Sequence, residues 1–365
     1  MSGGDGAGVA VDIVVNNYNY GRFLAAAVES ALAQTHERTT VIVVDDGSTD
    51  DSREVLAGFE ERVSLVLKEN GGQSSALNAG LRLCEGDVVL FLDSDDVLHP
   101  AAAAAVATAF AAEPAVAKVQ FRMEVIDAEG KPSGEIKPPL HLPLPQGDLR
   151  RAELAYPFDM AWLPTSANAF RLGPLRQILP IPTAEYPVCG ADWYLLHLTT
   201  LLGEVRSLDR VHASYRVHGG NNYESAEPRL DLDHVRETIG FSRATAASLL
   251  ALAARLDLPR PKRILSLAEL SNRLISLRLD PARHPVPGDS AVAILRDAVG
   301  ACRRRDNVST ALKAIFLGWF AAMAVAPRPL ARGLATQMLF PGRRGGLNRL
   351  LGRLQRRRDP KPSTA

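Results

Sequence analysis

With 365 residues, the chain is long enough for two domains or for one domain with a large appendage. Apolar residues make up 46% and charged residues 23%, an ordinary soluble composition, and a net charge of +1 gives the whole chain no basis for binding nucleic acid. Cys84, Cys189 and Cys302 are odd in number, far apart and without metal-type or redox-type spacing, so they read as reduced thiols of a cytoplasmic protein.

No basic region followed by an apolar stretch opens the chain, so no signal peptide is expected. Residues 1–8 are Gly-rich and read as disordered. Gly4, Gly6 and Gly8 precede the first strand, whereas a dinucleotide fingerprint follows a strand and opens a helix. Val9 to Val15 is the first predicted strand, followed by the loop Asn16–Gly21 and a helix from about Phe23 to Gln34. A second strand, Thr40 to Val44, ends at Asp45-Asp46-Gly47-Ser48-Thr49-Asp50, where Ser48 or Asp50 can cap a helix starting near Ser52. Val63 to Leu67 is a third strand, and Asn70-Gly71-Gly72 turns into a helix from Ser74 to Leu83.

The fourth strand, Val88 to Leu92, is a run of buried-strand residues that ends in Asp93, Asp95 and Asp96. So apolar a strand should be covered on both faces. Acids at its C-terminal end would lie at the crevice where open α/β sheets bind ligands. Carboxylates this close repel one another unless a cation shares them, and a divalent ion carrying a diphosphate suits them. The alternative is a polar turn with Asp96 capping the helix that follows Pro100.

Farther on, Ala101–Ala112 is a helix, and Ala117 to Ile126 is a strand that Asp127–Gly130 turns into a hairpin. Pro-rich residues 138–145 are a loop. The segment Trp162–Asn168 faces an acceptor or is a structural strand with a proline bend. A helix starts near Asp192, and Val211 to Val217 is a strand ending at His218-Gly219-Gly220-Asn221-Asn222. Beyond about residue 226 the periodicity is helical, notably over 236–256 and 263–278. Strands alternating with helices predict an α/β fold with a mostly parallel central sheet flanked by helices, followed by a helical C-terminal region. The polar clusters after the strands would then line one edge as one site.

Val14–Asn19, Val43–Asp50, Asn70–Gly80, Phe91–Asp96, Ala191-Asp192-Trp193 and Tyr215–Gly219, in this order, resemble the family 2 glycosyltransferases of the Rossmann-like GT-A fold. The resemblance runs over roughly residues 9 to 225. It implies a nucleoside-diphosphate sugar donor, a divalent metal (Mn2+ or Mg2+) and inversion at the anomeric carbon. Asn16 and Tyr18 would line the base pocket, and Asp46 would accept a ring N–H, which favours UDP or dTDP. Asp93, with Ser94, would lie near the ribose and metal, Asp95 would be the direct metal ligand, and His218 would reach the metal or diphosphate. Asp192 would be the general base, unless it caps its helix.

Three departures stand out. Asn16-Asn17 replaces the Pro-Thr of many relatives, Ala191 stands where a Glu usually precedes Asp192, and Leu77 replaces an Arg before Asn78. The expected activity is inverting sugar transfer to a glycan, lipid-linked or small-molecule acceptor. The competing readings are a non-catalytic sugar-nucleotide-binding scaffold and a sugar nucleotidyltransferase; the latter would show a Gly-rich basic loop after the first strand.

Residues 314–326 are apolar, and from Arg328 onward ten arginines and lysines face only Asp359. That pairing resembles an interfacial membrane anchor, which would place the protein at the inner face of the membrane. The apolar stretch could equally be a buried helix and the basic tail a solvated end. The expected division is 1–8, a catalytic domain over 9–225, a helical region over 226–326 and a basic tail over 327–365.

Overall fold

A computed structural model describes residues 8–187, 190–221 and 230–340. Residues 1–7, Cys189, Asn222 and the tail beyond residue 340 lie outside the described residues. The chain divides into two compact units: one of residues 1–153, 161–226 and 251–258, the other of 154–160, 227–250 and 259–365.

The first unit is built on a nine-stranded sheet. Its parallel part comprises β1 (Val11–Asn17), β2 (Thr39–Asp45), β3 (Ser64–Leu67) and β4 (Val88–Asp93). Here β1 pairs with both β2 and β4. Val11, Ile13 and Val15 face a core shared with Leu24, Ala27 and Val28 of α1 (Gly21–Leu32). Val14 faces the other way. Gly80 of α3 (Gln73–Leu81) comes so close that a Cβ there would lie 2.4 Å from Val14 Cγ1. Helices on both faces explain why Val88 to Leu92 are all buried.

The other strands are β5 (Val97–Leu98), β6 (Val116–Ile126), β7 (Pro132–Lys137), β8 (Asn168–Arg171) and β9 (Glu204–Arg216). The expected hairpin is present as β6 and β7. In contrast to the expected mostly parallel sheet, this half is mixed, because the four-residue β8 enters antiparallel between β4 and β6. Two reversals restore direction, so β6 and its parallel neighbour β9 run the same way as β4. The C-terminal ends of β1, β2, β4 and β9 therefore open on one edge. Flanking helices in this part are α2 (Ser52–Ala57), α4 (Ala102–Ala112), α5 (Arg150–Ala155), α6 (Leu172–Leu175) and α7 (Ala191–Leu202).

The second unit is helical, as its periodicity predicts: α8 (Leu232–Arg255) up to residue 250, α9 (Leu267–Leu279), α10 (Ala291–Arg304), α11 (Thr310–Val325) and α12 (Arg328–Leu339). Its core includes Ile239, Leu270, Leu274, Ile294, Phe320 and Met323. The Asp159 carboxylate accepts from the N–H groups of Leu267 (2.9 Å) and Ala268 (2.8 Å), satisfying donors at the start of α9. Among the described residues, no helix is long and apolar enough to cross a membrane.

Candidate active site

The edge reached by β1, β2, β4 and β9 collects most of the predicted site residues. Asn16 and Asp93 are register partners at the ends of β1 and β4. The Asn16 amide donates to Asp93 Oδ1 at 2.8 Å and to the Leu92 carbonyl at 3.3 Å, so it orients the carboxylate. Ser94 is buried in the turn that follows. Asp96 is buried as a strut, accepting from Ser166 Oγ (2.6 Å) and the Arg216 N–H (3.0 Å). It ties β4 to β9 and caps no helix; Ala101 stands at the start of α4.

Asp95 and His218 come together across 123 positions of sequence. Asp95 Oδ2 lies 3.1 Å from His218 Nε2 and 3.4 Å from the Asn221 amide nitrogen. The Arg216 guanidinium donates to the carbonyls of Asp95 (2.8 Å) and Ala128 (3.1 Å), which fixes the backbone of the acidic turn. Tyr20 and Phe23 wall the imidazole at ring separations of 5.3 and 4.7 Å. Burial and the three neighbouring acids push the Tyr20 hydroxyl up to about 12, so it stays protonated and donates to the Gly220 carbonyl at 3.1 Å.

Asp192 lies in the first turn of α7, whose N-cap is Gly190. Its Oδ1 accepts from the Trp193 N–H at 2.9 Å, and its Oδ2 lies 3.5 Å from Thr165 Oγ1. Thr165 also favours the ionised form of Asp93, against the burial of that acid. Thr165 thus bears on both the acid at the end of β4 and the acid at the start of α7. Burial, then the Asp95 and Asp192 carboxylates, push Asp93 up to about 8. Burial raises Asp192 as well, opposed by the Trp193 N–H and by His197.

Among the described residues, no lysine or arginine forms an ion pair with Asp93, Asp95, Asp96 or Asp192. Clustered carboxylates without a cation suit a divalent ion. Among the described residues, no group of three or more His, Cys, Asp or Glu side chains could hold a metal ion by itself. Asp95 and His218 would supply two donors, and Mg2+-like ions are commonly held by one or two carboxylates with phosphate oxygens completing the shell. The residues present therefore fit a metal that travels with a diphosphate.

The predicted base pocket is looser. Asp46 is buried, pairs with Lys68 and accepts from the Gly71 N–H at 3.2 and 3.1 Å, so its oxygens are already partly engaged. Gly47, at φ +76, makes the turn that brings Asp46 to this loop. Tyr18 is exposed. Asp45 is held by Asn17 (3.0 Å) and Arg53 (3.2 Å), and the Asp50 carboxylate, accepting from Ser52 N–H at 3.1 Å, serves the start of α2.

Thr165, Ser166, Arg216, Asn221 and Tyr20 received no individual role from the sequence. Only the position of Arg216 two residues before His218, and the small hydroxyls after Pro164, could have flagged them.

A family model described as Glycosyl transferase family 2 matches residues 12–167. An uncharacterized glycosyltransferase of Nostoc is 34% identical over 220 residues, covering 59% of this chain and 67% of that protein. Shorter matches to Rickettsia glycosyltransferases span 90 residues and 28% of those proteins. Among solved structures, a mannosyltransferase from Pyrobaculum calidifontis, in complex with GDP-Man and Mn2+, aligns with a TM-score of 0.51 at 17% identity, covering 95% of this chain and 84% of that one. S. aureus TarS 1–349 in complex with UDP aligns at 0.50 and 15% identity, covering 91% of each chain. These likenesses show the fold, which is of the GT-A type. The family-model match and the match to the Nostoc protein show that the chain is an enzyme belonging to glycosyl transferase family 2.

Proposed function

We propose that the protein transfers a sugar, with inversion and with a divalent metal, from a nucleoside diphosphate to an acceptor hydroxyl. The observation that carries this reading is the convergence of Asp93, Asp95 and Asp192 on one sheet edge, with His218 against Asp95 and Thr165 bearing on both Asp93 and Asp192. Asp95 and His218 would hold Mn2+ or Mg2+; the bound ion would offset negative charge gathering on the departing diphosphate. Asn16 orients Asp93 for the ribose and metal side of the donor, and Ser94 belongs to the same wall. Tyr18 offers an exposed ring to the base, with Asp46 behind it. Asp192 takes the proton of the acceptor hydroxyl as that oxygen attacks the face opposite the leaving group. Burial raises its affinity for that proton.

The donor falls to UDP or dTDP if Asp46 retains an acceptor site for a ring N–H. A guanosine donor is the competitor, since one structural neighbour was solved with GDP-Man and another with UDP. The acceptor is a glycan, a lipid-linked precursor or a small metabolite, and the place of action is the cytoplasm or the inner face of the membrane. A thermal-shift panel of UDP, dTDP, GDP and CDP, each with and without Mn2+, tests the reading. A metal-dependent rise with one nucleotide supports it, because a ligand that binds only the folded state raises the midpoint. A flat panel would count against the donor site.

A further inference from the structure

The helical unit carries a corner whose side chains are arranged against the usual rule. Between α11 and α12, Ala326 and Ala331 point inward and are buried, while Val325 and Leu330 are 81% and 59% exposed. The corner is held firmly. Arg278 donates to the Ala326 carbonyl at 2.8 Å, and the Trp319 indole N–H donates to the Leu334 carbonyl at 3.1 Å. Two large apolar side chains are therefore displayed on a pinned backbone. Arg328 and Arg332 flank them, both exposed.

The sequence on either side of this corner carries charge of one sign. Residues 307–358 contain ten lysines and arginines and no aspartate or glutamate. No exposed residue of α11 is charged. A solvated helix pair ordinarily mixes both signs, and a nucleic-acid surface would have no use for outward Val325 and Leu330. Exposed apolar side chains flanked by Arg328 and Arg332, on a helix too short to span a bilayer, match a surface that enters only the headgroup region of an anionic membrane.

We infer that the α11–α12 corner, through Val325, Leu330, Arg328 and Arg332, docks onto an anionic lipid bilayer. This deepens the membrane contact in the proposed reading by naming its surface and its lipid charge. Apolar insertion and arginine attraction act together, so the two pairs differ in salt response.

The experiment is co-sedimentation of the full chain with vesicles of phosphatidylcholine containing phosphatidylglycerol, beside vesicles of phosphatidylcholine alone. Circular dichroism confirms that each variant is folded. The wild type should sediment with the anionic vesicles and much less with the neutral ones. Arg328→Gln/Arg332→Gln should lose about fivefold in affinity per arginine at low salt. Val325→Ser/Leu330→Ser should lose the fraction of binding that survives high salt. Failure of the wild type to sediment, or equal sedimentation of the serine variant, overturns the inference. Retention on DNA without vesicle binding overturns it in favour of nucleic acid. Nucleotide-induced thermal shifts are read separately, so loss of the donor-site reading and loss of the docking surface give different results.

Discussion

The imidazole of His218 lies 3.1 Å from the carboxylate of Asp95, although 123 positions separate them in the chain. The sheet makes this meeting: β9 runs the same way as β4, so the segment after Arg216 arrives beside the turn after Asp93. If the pair holds a metal shared with the donor diphosphate, Asp95→Ala should abolish Mn2+-dependent UDP binding. His218→Ala should weaken it by more than the about 10–100-fold that loss of an outer-shell partner costs. Calorimetry with UDP in Mn2+ reads both, and an unchanged affinity in Asp95→Ala would remove the metal assignment.

If Asp192 serves as the base, it should be separable from donor binding, because its contacts are Thr165 and the start of its own helix rather than Asp95 or His218. Asp192→Asn should leave nucleotide affinity nearly unchanged and lower transfer by about 10²–10⁴-fold, the range for a lost general base. A scaffold that only binds would show no transfer to lose. Equal turnover of the two proteins would take the base role away from Asp192.

Much of this arrangement is legible before any coordinates. Val88 to Leu92 reads as a buried strand because five apolar residues in a row have no polar face, and the acids that follow must then lie at its end. The Asp95–His218 pairing is legible only through the family resemblance, because nothing local in either segment points to the other. Thr165 and Ser166 escape notice for a different reason. Pro164 and a 3-10 turn break the period there, and hydroxyls in such turns are common. The mixed half of the sheet hinges on β8, too short at four residues to announce its direction. The N-terminal part of β9 mixes charged and half-buried positions, so its start at Glu204 is hidden and only Val211 onward reads as strand.

Lys118 also lies inside an apparently plain strand. It is fully buried, with Nζ 3.9 Å over the Trp162 ring, and burial pulls its pKa from 10.5 down to about 7, with Glu153 opposing. The unfolded chain binds more protons than the folded one between those two values, so stability should rise with pH across that window. Below it the cost of the buried cation is fully present. Lys118→Met, which keeps the volume, should be more stable than wild type by a few kcal/mol at about pH 6, and the advantage should shrink towards about pH 10. Denaturant unfolding at the two pH values measures this, and a constant difference would show that Lys118 is not the titrating group.

Gly80 sets how closely α3 can lie on the sheet. An added Cβ would come within 2.4 Å of Val14 Cγ1 and 3.3 Å of Val44 Cγ2. Gly80→Ala should therefore lose about 1–3 kcal/mol through overpacking, despite the better helix propensity of alanine. Adding Val14→Ala opens the space, so the double variant should be more stable than the sum of the two losses. Strict additivity in denaturant midpoints would mean that the helix moves away freely.

Thr165 contacts Asp192 and also bears on Asp93, the acids that the proposed reading gives to the acceptor and the donor. A bond from a hydroxyl to a carboxylate is worth about 1.5–3 kcal/mol, and here it would hold Asp192 in place while leaving its proton-accepting role intact. Thr165→Val keeps the shape and removes the donor. Turnover should fall about 10–100-fold, while nucleotide affinity, which the proposed reading assigns to Asp95 and His218, should hold. Thr165→Ser restores the hydroxyl and should restore most of the rate. Loss of nucleotide binding in the valine variant would place Thr165 with the donor site, and full activity would show that Asp192 needs no such tether.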